Sequence, residues 1–213
     1  MNQGQTLIAI LDYGSGNLRS ALRAFETTGR KVQITSDPEI AISAAGLVVP
    51  GVGAFSSCMQ GLIQVNGDQI IRNRFANNRP TFGICVGMQI LFESGLENTK
   101  DINGTSGVGL VEGVVEKLPA PVLPHMGWNT LRIEGQSQLF QGINTKEASF
   151  YFVHSYAVSN SASTKKFTAS AYADYYGEFL AAFEFGSLAA TQFHPEKSGA
   201  NGIRLIQNWV NSL

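Results

Sequence analysis

Gly83-Ile84-Cys85-Val86-Gly87 sets a thiol between small residues, directly after the apolar run Thr81-Phe82-Gly83-Ile84. A G-x-C-x-G at the end of a strand is the thiol form of the strand–turn–helix nucleophile elbow. Such a turn strains its central residue, so the neighbours on both sides must be small. The sulfur is then offered at the carboxyl end of a sheet. A helix beginning beneath it, expected over Met88 to Phe92, favours thiolate through its free N–H groups. The N–H of Val86 can meet a developing oxyanion. Alone, the pentapeptide fits a buried structural cysteine equally well. Cys58 has no comparable surroundings and reads as structural.

A thiol nucleophile needs a base, and the base needs a group that orients it. The chain has three histidines: His125, His154 and His194. His194 stands in Gln192-Phe193-His194-Pro195-Glu196, after a strand-like run. Pro195 stiffens the link, and a carboxylate two positions on can turn back to hold one ring nitrogen. By itself this segment also fits a surface turn; beside the elbow it reads as a Cys85–His194–Glu196 triad. Pro50-Gly51-Val52-Gly53 follows another apolar run, Leu47-Val48-Val49. Its glycines let backbone approach a substrate, although a plain strand-ending turn has the same composition. No G-K-S/T follows, which argues against a phosphate loop. Gly14-Ser15-Gly16-Asn17 lacks the third glycine of a dinucleotide fingerprint. His125 and His154 read as satisfied structural histidines.

The elements around these residues fall into two halves. Leu7 to Leu11, Val32 to Ile34, Leu47 to Val49 and Thr81 to Ile84 are short apolar runs bounded by turn residues, as in buried parallel strands. Helical spacing appears over Leu18 to Thr28, closed by Gly29, and over Ile70 to Phe75. Strands alternating with helices imply a parallel sheet with right-handed crossovers. Further on, Val108 to Leu118, Thr130 to Ile133, Ser149 to Val153, Phe167 to Tyr172, Phe179 to Phe185 and Leu188 to Phe193 are strand-like and imply antiparallel or mixed pairing. Gly199 to Val210 reads as a closing helix with Ile203, Ile206 and Val210 inward.

Composition narrows the function class. With 213 residues, 44% hydrophobic and 15% charged, the chain suits one α/β domain. A formal net charge of −1 gives no basic excess for nucleic acid or an anionic membrane. Two cysteines without a CxxC or Cys/His cluster suggest neither a disulfide framework nor zinc. Leu7 to Leu11 is too short for a signal peptide or membrane span. The expectation is a cytoplasmic protein with reduced thiols.

Three signatures together, Val49-Pro50-Gly51-Val52-Gly53, Gly83-Ile84-Cys85-Val86-Gly87-Met88-Gln89 and His194-Pro195-Glu196, resemble the class I (triad) glutamine amidotransferases in order and spacing. The resemblance covers essentially the whole chain. It implies a single domain over 1–213 with a flavodoxin/Rossmann-like three-layer α/β fold: a central, mostly parallel sheet plus an antiparallel extension. Asp12-Tyr13-Gly14-Ser15-Gly16-Asn17-Leu18, Pro124-His125-Met126-Gly127-Trp128-Asn129, Tyr151-Phe152-Val153-His154-Ser155-Tyr156 and His194-Pro195-Glu196-Lys197-Ser198 narrow it. They look like the branch that forms the glutaminase subunits of imidazole glycerol phosphate synthases. Val86 stands where leucine is common, which is harmless if that residue acts through its backbone.

The resemblance implies that Cys85 attacks the side-chain amide of glutamine, His194 moves the proton and Glu196 orients His194. It places the oxyanion near the N–H of Val86 and the Gly51-Val52-Gly53 strand, which in the family is thought to need a peptide reorientation. It gives Gly53, Gln89 and the backbone around Ser155 and Tyr156 to glutamine binding. No cofactor or metal is implied. The expected partner is a separate (β/α)₈-barrel synthase subunit that receives ammonia, making a heterodimer, with Tyr13, Asn17, Met126, Trp128 and Lys197 at the interface. The alternatives are another amidotransferase's glutaminase, a peptidase or chaperone-like protein of the same architecture, and a non-catalytic binding subunit.

Overall fold

The computed structural model describes residues 6–99, 101, 103–159 and 166–213. The first half runs β1 (Leu7–Leu11), α1 (Leu18–Glu26), β2 (Lys31–Thr35), α2 (Pro38–Ser43), β3 (Gly46–Gly51), α3 (Phe55–Gln64), α4 (Gly67–Ala76), β4 (Thr81–Cys85) and α5 (Val86–Gln89). The second runs β5 (Phe92–Gly95), β6 (Thr105–Ser106), β7 (Val111–Lys117), β8 (His125–Thr130), β9 (Arg132–Gly135) and β10 (Ser149–His154). It continues through β11 (Tyr156–Val158), β12 (Ala169–Asp174), β13 (Glu178–Phe185), β14 (Leu188–Thr191) and α6 (Gly199–Asn211).

Among the described residues the main sheet has eight strands in the order β2-β1-β3-β4-β14-β13-β12-β9. From β2 to β14 every neighbouring pair is parallel; from β14 to β9 every pair is antiparallel. The expected mostly parallel sheet with an antiparallel extension is what forms. β1, β3 and β4 are buried along their whole length, which is why they carry continuous apolar runs. α1 packs with α6, and α4 with α2 and α3, so the sheet is sandwiched between two helix groups. Phe25, Phe82 and Trp209 interlock edge-on or tilted where α1 and α6 meet the sheet. Two smaller sheets, β10-β8 and β11-β7-β5-β6, stand beside the carboxyl ends.

Several boundaries differ from the sequence expectation. The helix expected over Met88 to Phe92 is the single turn α5, and Phe92 already opens β5. β3 does not stop at Val49 but continues through Pro50 to Gly51. β1 stops pairing with β3 at Val48, so the missing proline N–H forfeits no bond to it. Thr130 to Ile133 divides between β8 and β9, and the strand expected over Phe167 to Tyr172 is β12, two residues later. Ile203 is only half-buried, and Leu205 and Trp209 join Ile206 and Val210 in the core.

Arg74 carries a charge into the interior. Arg74 is fully buried, and burial lowers its guanidinium to about 10, so it stays cationic at neutral pH. It donates to the carbonyls of Ala41, Ile42, Ala44 and Pro80 at 3.0, 2.9, 2.9 and 2.6 Å. It thereby ties the turn before β3 to the turn before β4. Arg74→Met leaves those carbonyls unpaired and should cost on the order of 3 kcal/mol. Urea unfolding checks this; a loss below about 1 kcal/mol would mean the carbonyls find other donors.

Candidate active site

Cys85 ends β4 and precedes α5 with φ +56° and ψ −115°, a backbone conformation costly for any residue with a side chain. The glycines make that turn possible. A Cβ on Gly87 would run into the Val49 carbonyl oxygen, and one on Gly83 would lie 2.7 Å from the Gly87 carbonyl oxygen. On the facing strand, a Cβ on Gly51 would lie 2.5 Å from the Gly87 nitrogen and 2.9 Å from the Tyr13 hydroxyl. The sulfur opens into a cavity of about 400 Å³ that Val52, Gly53, Val86, Gln89, Ser155, Tyr156 and His194 also line. Gly51 is not in that lining; it supplies the clearance behind the elbow. A second concavity, around Asn78, Glu184 and Ser187, carries neither thiol nor imidazole.

His194 follows β14, which lies directly beside β4. Its Nδ1 is 2.8 Å from Glu196 Oε1, and both side chains are 3% exposed. The two-residue spacing works because Pro195–Lys197 forms one 3₁₀ turn. Burial acts to lower the imidazole, but Cys85 and Glu196 outweigh it and raise it to about 9. Nε2 of His194 completes no hydrogen bond of ordinary geometry, which leaves it for the thiol or a leaving group.

The glycine strand is held in a closed arrangement. The Val52 N–H donates to Ser15 Oγ at 3.0 Å, and the Ser15 hydroxyl donates to the Val52 carbonyl at 2.8 Å. Burial pushes the Cys58 thiol up, so it stays protonated and donates to that carbonyl at 3.3 Å. The Val52 N–H is therefore engaged. Val86 opens α5, so its N–H has no intrahelical acceptor.

Gln89 is buried, and its Nε2 donates to the Tyr156 carbonyl at 2.8 Å and to Gln192 Oε1 at 2.9 Å. Gln192, which sequence reasoning left without a role, is buried with its Nε2 3.7 Å from Cys85 Sγ. Its only signal was its place two residues before His194. His154 also lines the cavity, and burial lowers it to about 3. Its Nδ1 is 3.0 Å from the Tyr156 carbonyl and its Nε2 is 3.1 Å from His125 Nδ1. Both histidines are satisfied within the structure.

The interface candidates separate. Met126 and Trp128 are 62% and 57% exposed on β8, and Lys197 is exposed beside the cavity it helps to line. Tyr151 joins them: its ring meets Trp128 edge-on at 6.0 Å and carries Lys197 Nζ at 6.0 Å. Asn17 is exposed but caps α1 through the Ser20 N–H. Tyr13 is a correction to the surface expectation. It is 4% exposed, and its hydroxyl donates to the Pro50 carbonyl at 2.6 Å, bracing the strand that faces the elbow.

The family described as glutamine amidotransferase class-I matches residues 9–213. The chain belongs to this family. Curated relatives of this amidotransferase carry the name imidazole glycerol phosphate synthase subunit HisH. The Nocardia farcinica protein is 53% identical over 97% of this chain and 98% of its own length. Those of Corynebacterium diphtheriae and Thermobifida fusca are 50% and 51% identical, over 97% and 98% of this chain and 99% and 100% of their own lengths. A solved glutamine amidotransferase superposes with TM-score 0.71 at 16% identity over 96% of this chain and 97% of its own. PurLQS from Thermotoga maritima does so with 0.73 at 17% identity over 98% and 99%. Those two likenesses show the fold.

Gly53 sits at φ +89°, and a Cβ added to it would meet no atom within 4 Å, so space does not forbid a side chain there but conformation does. Gly53→Ala should cost about 1–2 kcal/mol in folding. Glutaminase turnover should fall further, on the order of 10²-fold. Steady-state kinetics beside a urea titration decide it; turnover that tracks stability alone would return this segment to a plain turn.

Proposed function

We propose that this chain is the glutaminase subunit of an imidazole glycerol phosphate synthase. It hydrolyses glutamine and passes the ammonia to a separate (β/α)₈-barrel subunit in histidine biosynthesis. The observation that carries the reading is a cysteine strained at φ +56° in a cavity shared with a carboxylate-held imidazole. The relatives' shared name supplies the synthase. The free thiols Cys58 and Cys85 suit the cytoplasm, and no helix among the described residues is long and apolar enough to cross a membrane.

Cys85 Sγ attacks the carboxamide carbon of glutamine after passing its proton to His194 Nε2, which is cationic at neutral pH. Glu196 holds Nδ1–H and stabilises the imidazolium. The carbonyl electron pair moves onto the oxygen, which the Val86 N–H receives. On collapse the C–N bond breaks, and the imidazolium returns its proton to the departing nitrogen as ammonia. A water deprotonated by His194 then splits the thioester, giving glutamate and the thiol. Gly53, Gln89, Ser155 and Tyr156 border the space for the substrate.

Ammonia released to neutral water is protonated and loses its nucleophilicity, so the product needs a sheltered exit. Lys197, which lines the cavity, and the exposed Met126 and Trp128 on β8 offer a surface for the barrel subunit. The Ser15–Val52 pair supports a partner-activated enzyme, because the Val52 peptide gains a free donor only when those bonds open.

Glutamate release should be near background for the chain alone and rise when the barrel subunit and its nucleotide substrate are added. No rise would overturn the reading. Cys85→Ala should abolish release while still co-purifying with the barrel subunit, and normal turnover in that variant would remove Cys85 from the mechanism.

The pH dependence has a definite sign. His194 is raised above the usual value of about 6.5. Its favourable interactions are therefore complete below that pH and lost as pH rises through about 9. Activity should fall on the alkaline side near there. Glu196→Gln removes one of the charges that raise His194, so the alkaline limb should move to lower pH. An unmoved limb in the pH–rate profile would free Glu196 from this role.

A further inference from the structure

The cavity wall contains a run of hydrogen bonds whose direction is set from one end. A backbone carbonyl only accepts. The Tyr156 carbonyl therefore requires the NH₂ of Gln89 to face it, at 2.8 Å. The same NH₂ lies 2.9 Å from the Gln192 side chain, so that contact must be Oε1. The Gln192 amide is then fixed, and its own NH₂ is turned onto Cys85 Sγ at 3.7 Å, within reach for the large sulfur atom.

The Tyr156 carbonyl is anchored in turn. Its other close partner is His154 Nδ1 at 3.0 Å, which must carry a proton. Burial lowers both His154 and His125, so at neutral pH each ring has one donor and one acceptor. His154 Nε2 is thus the acceptor, and His125 Nδ1 donates to it at 3.1 Å. Every polar direction from His125 on β8 to the sulfur follows from one carbonyl.

We propose that Gln192 is a positioning residue for the reaction. Its amide donates to the Cys85 sulfur, steadies it as a thiolate, and is kept from flipping by Gln89 and the Tyr156 carbonyl. Gln192 is 0% exposed, so no water can replace the donor cheaply. The inference rests on Cys85 being the nucleophile, but its test needs neither glutamine nor the barrel subunit.

Alkylation of Cys85 by iodoacetamide is followed across pH, with peptide mass spectrometry reading Cys85 apart from Cys58. Gln192→Glu keeps the size and the acceptor for Gln89 but loses the donor and adds negative charge. Gln192→Met loses the donor without the charge. Both should alkylate about tenfold more slowly at neutral pH, the loss of one hydrogen bond to a charged acceptor. Their profiles should shift to higher pH. In the unsubstituted chain, the NMR signal of the Gln192 side-chain amide should move when Cys85 is alkylated, which needs no Gln192 variant to fold. Unchanged alkylation profiles in a folded variant, or an unmoved amide signal, would overturn the proposal. Those results leave the functional reading intact, whereas normal glutamate release by Cys85→Ala would overturn that reading by itself.

Discussion

The turn after β4 packs against the carboxyl end of β3 more closely than side chains at Gly51 and Gly87 would allow. Gly51 lies in register with Cys85, and the room that Gly51 and Gly87 leave lets the elbow tuck against Val49 and Pro50. A residue held at φ +56° costs on the order of 1–3 kcal/mol, which the packing around it must offset. The buried strands β1, β3 and β4 supply that packing, and Tyr13 braces the far side through Pro50. The position of the sulfur, the free N–H of Val86 and the shape of the cavity all follow from this contact. The dipole of a long helix contributes little, because α5 is a single turn.

Two imidazoles of similar burial end in different charge states in the same cavity. His154 has only a carbonyl and a neutral ring as partners, so burial wins and holds it at about 3. His194 faces a thiol and a carboxylate that overcome burial and hold it at about 9. The neighbourhood, not the depth, sorts them into a neutral ring and a cation. Keeping the wall neutral also helps, since a second cation there would compete with His194 for Cys85.

The parallel half was legible because its strands are buried on both faces and read as unbroken apolar runs. The thiol, base and carboxylate were legible because the backbone at each demands particular neighbours: glycine beside Cys85, proline after His194. What stayed hidden depends on which way a side chain turns. Tyr13 looked like a surface residue, yet it is buried against Gly51 of β3 and Gly61 of α3. Gln192 looked like an ordinary polar residue near a strand end, and only the fold brings it to Cys85. Elbow spacing cannot say how long the following helix runs; Phe92 is drawn into β5 because its neighbours pair with β7. The Ser15–Val52 bonds join segments 37 positions apart, beyond any local pattern.

The placement of β14 beside β4 has a consequence for how the chain matures. Cys85 and Gln192 are separated by 107 positions, and no part of the base can meet the thiol until the last strand has inserted between β4 and β13. That is a non-local, slow kind of pairing. The amino-terminal strands and their crossovers can be built first on local contacts. During synthesis Cys85 therefore has neither Gln192 nor His194 beside it while the ribosome still holds β14. Order of assembly brings the imidazole to the thiol last.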